Sequence, residues 1–159
     1  EDLWANVHTH LTQGGTLGDL RGLTAKEYEA MFLVGHTLYG QKRYEDAEQV
    51  FAFLVMNNPY DRRFAQALGS AKQMLGQYAD AIGYYSIASM FEMTDPVPTF
   101  HTAECLAALG KPEDAIDALG FVIKHSTKPE HNQLKQRAQA MVELLKATAE
   151  APAVSGGVK

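Results

Sequence analysis

The chain has one cysteine, one tryptophan and six prolines in 159 residues, and no surplus of positive charge. A lone thiol, Cys105, excludes an intrachain disulfide and fits a reducing compartment. A formal net charge of −5 excludes the basic footprint that phosphate-backbone recognition needs. Lys42-Arg43 and Arg62-Arg63 are isolated pairs and read as solvated helix ends. No apolar run approaches the roughly 18 uninterrupted residues of a membrane-spanning helix. No Gly-x-x-x-x-Gly-Lys-Ser/Thr loop is present to cradle phosphate. The chain opens on Glu1 rather than methionine, so a trimmed start and a removed leader are both compatible with it.

What is present is a repeat. Asp46-Ala47, Asp80-Ala81 and Asp114-Ala115 stand 34 residues apart, and Gly35/Gly69, Tyr44/Tyr78, Leu75/Leu109 and Gly76/Gly110 keep the same interval. That period is the length of a tetratricopeptide unit, two antiparallel helices joined by a short turn. The fold class is therefore all-α: a solenoid of three helix-turn-helix repeats with an N-terminal helix and a C-terminal capping helix. The expected organisation is an N-terminal helical segment over residues 1–23, repeats plus cap over 24–149, and a disordered tail over 150–159, which carries Pro152 and Gly156-Gly157.

Helix signals place the elements. Leu3, Trp4, Val7 and Leu11 form an amphipathic stripe ended by Gly14-Gly15, and Leu17, Leu20 and Leu23 form a second, shorter one. Thr24-Ala-Lys-Glu27 is a capping box that opens the first repeat near Ala25. Its first helix runs to about Gly40, with Met31, Val34, Gly35 and Leu38 facing a neighbour, and its second runs from Tyr44 to about Val55, with Ala47, Phe51 and Leu54 inward. Asn57-Asn58-Pro59 stops it. Repeat two takes Asp61 as N-cap, Leu68 and Gly69 in its first helix, and Tyr78, Ala81, Ile82, Tyr85 and Ala88 in its second. Repeat three offers Ala103, Leu106 and Leu109, then Ala115, Leu119 and Val122, with Pro112 tolerable at a helix start. Thr127-Lys-Pro-Glu130 reads as a second capping box, opening the final helix with Leu134, Ala138, Met141 and Leu145 inward.

Stacked repeats curve, and the first helix of each pair lines the concave side. Positions alternating with the core set are Phe32, His36 and Tyr39, then Arg63, Gln66, Ser70 and Gln73, then Val97, Phe100, Glu104 and Ala107, with Tyr44 at the mouth of the first pair. Aromatics supply contact area at low entropic cost and amides can hydrogen-bond a backbone, which suits an extended peptide. The alternative is plain inter-helix packing. It is favoured at Tyr44, while filled core positions elsewhere favour the groove for Phe32, Tyr39 and Phe100.

Reactive constellations are weak. His8 and His10 lack a third ligand, and His101 and Cys105 share a helix face without a second Cys/His pair, so no metal is expected. A Cys-His nucleophilic pair would need an orienting group and an oxyanion donor that no loop provides. No cofactor and no enzymatic activity are expected. The six methionines are dispersed, as core filler would be.

Three stretches carry a resemblance. Gly14-Gly-Thr-Leu17 precedes the repeats; Phe51-Ala-Phe-Leu54 is followed by Asn58-Pro-Tyr-Asp61; and Pro98-Thr-Phe-His-Thr-Ala-Glu-Cys105 opens repeat three. From Leu11 to about Leu145 the chain resembles the class II chaperones of type III secretion, small tetratricopeptide proteins that escort translocator subunits. The resemblance implies a cytosolic bacterial protein without ATPase activity. It would bind a Pro/Val-x-Leu-x-x-Pro-like segment near the N-terminus of each of two hydrophobic translocators and keep both soluble and separate before export. It places groove aromatics at Phe32, Tyr39, Tyr44 and Tyr85, puts His36 where relatives often carry an aromatic and Asn57 where they often carry an aliphatic. It also makes Leu3, Trp4, Val7 and Leu11 a homodimer surface; the same stripe could instead fold back on the first repeat. A generic tetratricopeptide adaptor joining two folded partners is the alternative function.

Overall fold

The computed structural model describes residues 3–150; the expected disordered tail from Ala151 lies outside the described residues. Within them the chain is all-helical: α1 (Leu3–Thr12), α2 (Leu17–Leu20), α3 (Ala25–Gly40), α4 (Tyr44–Asn57), α5 (Arg62–Met74), α6 (Tyr78–Phe91), α7 (Pro96–Ala108), α8 (Pro112–His125) and α9 (Asn132–Glu150). Helices α3/α4, α5/α6 and α7/α8 are the three expected pairs, and they fall into two compact units divided between Met93 and Thr94.

In the first unit, local chemistry sets the ends. Thr24 accepts from the Glu27 amide while the Glu27 carboxylate accepts from the Thr24 amide, so the capping box starts α3 as expected. Thr16 and Asp19 do the same for α2. Both carboxyls are held below their usual range by these hydrogen bonds, first from the backbone amide and then from the threonine hydroxyl. Asp61 caps α5 by accepting from the Arg63 amide. The turn inside each pair needs one left-handed residue, supplied by Gly76 and Gly110 at φ +74° and +72°. At the equivalent place in the first pair stands Lys42, at φ +61°, a conformation that costs a side-chain-bearing residue about 1 kcal/mol.

The core of this unit gathers Ala47, Phe51, Leu54, Phe64, Leu68 and Ala71. Gly35 and Gly69 let the pairs close: an added Cβ would lie 2.4 Å from the Phe51 ring at the first and 2.9 Å from the Tyr85 ring at the second. Val34, expected inward, is 52% exposed, because Met31 and Leu38 take the positions against α4 and its own side of α3 is uncovered. Asn57 is fully buried at the end of α4. Its amide donates to the Phe53 carbonyl, and its oxygen accepts from Arg21 at 2.6 Å. A polar residue there ties α2 to α4.

The second unit packs Phe100, Ala103, Leu119, Val122 and Ala138 together. Asp95 caps α7 with Pro96 at the first helical position, and Pro112 opens α8 in the same way. Leu109, expected in the core, is 42% exposed, since it follows the last turn of α7. The expected box at Thr127–Glu130 does not form. Lys128 precedes a proline and is extended at ψ 148°; a 3-10 turn over Pro129–His131 follows, and α9 begins only at Asn132.

Candidate functional site

Among the described residues no helix is long and apolar enough to cross a membrane, and no group of three His, Cys, Asp or Glu residues is placed to hold a metal ion. Cys105 is buried, and burial, followed by the neighbouring Glu104 charge, pushes its thiol up to about 11. It is thus a neutral core group at physiological pH rather than a nucleophile. His101 faces not Cys105 but Glu104, with Nδ1 2.9 Å from the carboxylate.

Within each unit, the surface of the first helices of the pairs is the strongest candidate for function. In the first unit, Phe32 is half-buried and meets the exposed His36 edge-on, with centroids 4.4 Å apart; Phe64 lies 5.3 Å behind. One turn on, Tyr39 and Tyr44 form an edge-to-face pair at 5.2 Å, both half-buried. This half-burial divides each ring between packing and surface, so neither of the two readings of Tyr39 and Tyr44 takes the whole side chain. Helix α5 sets Gln66, Ser70 and Gln73, all half-buried, along the same strip, with Ser70 Oγ donating to the Gln66 carbonyl.

Two expected binding aromatics are placed elsewhere. Tyr85 is fully buried beneath Gly69. Only its hydroxyl reaches the strip, donating to Gln73 Oε1 at 2.6 Å with Ser70 Oγ at 3.3 Å. Phe100 is 2% exposed, sealed by the α8 and α9 side chains of its core cluster and by the Arg137 guanidinium 4.6 Å above the ring. Both rings are core residues that support the surface rather than form it. Glu104 remains half-open in the second unit, accepting from Arg137 at 3.2 Å. On α1, Leu3 and Trp4 are 73% and 77% exposed, Leu11 is exposed and Val7 half-buried.

The sequence places Arg63 among the groove positions but does not give its partner, and it does not single out Arg137. Arg63 reaches Glu29 at 2.6 Å and Arg137 reaches Glu104, pairs separated by 34 and 33 residues. The repeat length was itself the available signal, because it brings such positions together on alternate helices, α3 with α5 and α7 with α9.

A family model for the tetratricopeptide repeat matches residues 32–57. The low calcium response locus protein H of Yersinia pseudotuberculosis is 33% identical over 142 residues, spanning 88% of this chain and 84% of the relative. The chain belongs to the class II translocator chaperones of type III secretion. Among solved structures, a type III secretion complex from Aeromonas hydrophila superposes with a TM-score of 0.85 at 32% identity, covering 91% of this chain and 97% of that one. PcrH of Pseudomonas aeruginosa, bound to the chaperone-binding region of PopD, gives 0.77 at 31% identity, covering 81% and 98%. PcrH has also been solved with the chaperone-binding region of PopB. The translocator chaperones are not enzymes.

Proposed function

We propose that this chain is a cytoplasmic bacterial chaperone that holds an extended segment of hydrophobic translocator proteins on the first-helix surface of its repeats. The observation that carries the reading is the strip of half-open rings on α3, Phe32 and Tyr39 with the exposed His36, running beside the amides of α5. Half-open rings accept apolar side chains, while Gln66, Ser70 and Gln73 offer hydrogen bonds to a peptide backbone that has no partner within itself. Masking the apolar segments of a translocator prevents its premature aggregation. Tyr44 belongs to the strip through Tyr39, and Tyr85 acts from beneath it; in the second unit, taken by itself, Glu104 is a half-open polar group and Phe100 a core residue.

His36→Ala combined with Gln66→Ala removes surface contacts and truncates no fully buried side chain; of the core's contacts it gives up the edge of His36 against Phe51 at 5.4 Å. We expect translocator-peptide affinity to fall about tenfold, the size of one interface anchor, with only a small drop in melting temperature. Calorimetric titration reads the first and circular dichroism the second. Undiminished affinity would favour the generic adaptor, whose partners would use other surfaces.

Leu3, Trp4, Val7 and Leu11 are proposed as a contact between two copies of the chain, on the ground that α1 buries no residue of its own. Sedimentation should show a dimer that Leu3→Ser with Trp4→Ser converts to a monomer; a monomeric parent would remove the proposal.

A further inference from the structure

The Asp61-Arg62-Arg63 sequence is bound into the first unit on three sides. Arg62 pairs with Glu92 just beyond α6, while Arg63 turns the other way, toward α3. Asp61 has two tasks: its Oδ1 accepts from the Arg63 amide as the cap of α5, and its carboxylate also grips the Arg63 guanidinium, with Nη2 at 2.6 Å and Nε at 3.0 Å. Glu29 takes the far edge of the same guanidinium at 2.6 Å. The plane so fixed lies over Phe32 at 5.2 Å and over Phe64 at 5.7 Å.

We infer that Arg63 is a positioning residue for peptide binding: clamped between Asp61 and Glu29, it locks the Phe32 ring, and His36 with it, in the orientation that meets the ligand. This rests on the proposed function and adds the residue that pre-organises its aromatic strip. Three observations separate positioning from direct contact or simple pairing. Most of the five N–H donors of an arginine are already engaged by the two carboxylates, so little remains for a ligand. The guanidinium lies over two rings while its fork holds two carboxylates, a combination that an ammonium group does not reproduce. The clamp is built from the helix cap itself, so the ring position is referred to the start of α5 rather than to a mobile surface side chain. The two hydrogen-bond partners, Asp61 first and Glu29 second, also hold the guanidinium's pKa above its ordinary value. The second unit holds a simpler pairing of the same kind, with Arg137 against the single carboxylate of Glu104 and over Phe100.

The test uses the full chain, Arg63→Lys and the milder Glu29→Gln, with the PopD chaperone-binding region as probe. Three readouts are taken: melting temperature, probe affinity, and the imidazole proton shifts of His36, which lies at the edge of the Phe32 ring. We expect Arg63→Lys to move the His36 resonances and weaken probe binding about two- to fivefold while the melt changes little, and Glu29→Gln to do both to a smaller extent. Unmoved His36 resonances with parental affinity in both variants would overturn the inference and leave the proposed function standing. A lowered melt with unmoved His36 shifts would make Arg63 a structural staple only, and would overturn it too. Should the parent chain itself fail to bind the probe, the proposed function is what fails, and the His36 shifts alone still decide whether Arg63 positions the ring.

Discussion

Phe100→Ala should unfold the second unit at temperatures where the parent is fully folded. The ring is 2% exposed and packs with Ala103, Leu119, Val122 and Ala138, three of which are on α8 and α9. Deleting it removes the shared contact among the three helices of the unit and takes away the surface on which Arg137 rests. Truncation of a buried phenylalanine costs about 3–5 kcal/mol, since small neighbours such as Ala103 and Ala138 cannot collapse into the space. For a chain of this length that corresponds to a drop of roughly 10 °C or more in the melting temperature. A melt within a degree of the parent's would show that Phe100 is a surface residue after all. The consequence for function is practical: a binding defect in this variant would report a lost core, so His36 and Gln66 are the positions at which to probe the surface.

Gly69→Leu is the second large effect, and it acts by crowding. An added Cβ at this position meets three ring atoms of Tyr85 at 2.9, 3.0 and 3.3 Å. That ring cannot give way easily, because it is fully buried and its hydroxyl is fixed to Gln73. Overpacking of this kind costs about 1–3 kcal/mol, and the added leucine branches bring the figure to the upper end. Gly83, on α6, is the natural control: nothing lies within 4 Å of its Cβ position. Gly83→Ala should therefore raise stability by up to about 1 kcal/mol through helix propensity alone. Denaturant titration of both variants distinguishes the two glycines. Equal stability changes would contradict the close-approach explanation of Gly69.

The fold was legible because the signals that define it are local or periodic. A 34-residue interval, a capping box at Thr24, an aspartate cap at Asp61 and a proline tolerated at Pro112 each act within one or two helical turns. The one misread cap, at Thr127, failed for a local reason as well: Pro129 forces Lys128 out of the helical region, a restraint that outweighs the capping pattern. The surface was only half legible. Spacing puts Phe32, Tyr39 and Phe100 near the first-helix positions and the family resemblance adds Tyr85, but neither can say which rings a neighbouring helix covers. Phe100 was lost to the core because Arg137, 37 residues on, closes over it, and Tyr85 because Gly69 leaves room for the ring to pass beneath α5. The Arg63–Glu29, Arg137–Glu104 and Arg21–Asn57 contacts join residues 34, 33 and 36 apart, where no nearest-neighbour rule reaches.

Co-expression with a hydrophobic translocator of the same secretion system tests the central claim most directly. Alone, the translocator should be found in the insoluble fraction; with the parent chain it should be recovered as a soluble, stoichiometric complex, and with His36→Ala/Gln66→Ala the recovery should fall sharply. A translocator that stays insoluble beside the folded parent chain would contradict the chaperone function, and full recovery with the double variant would contradict the surface assigned to it.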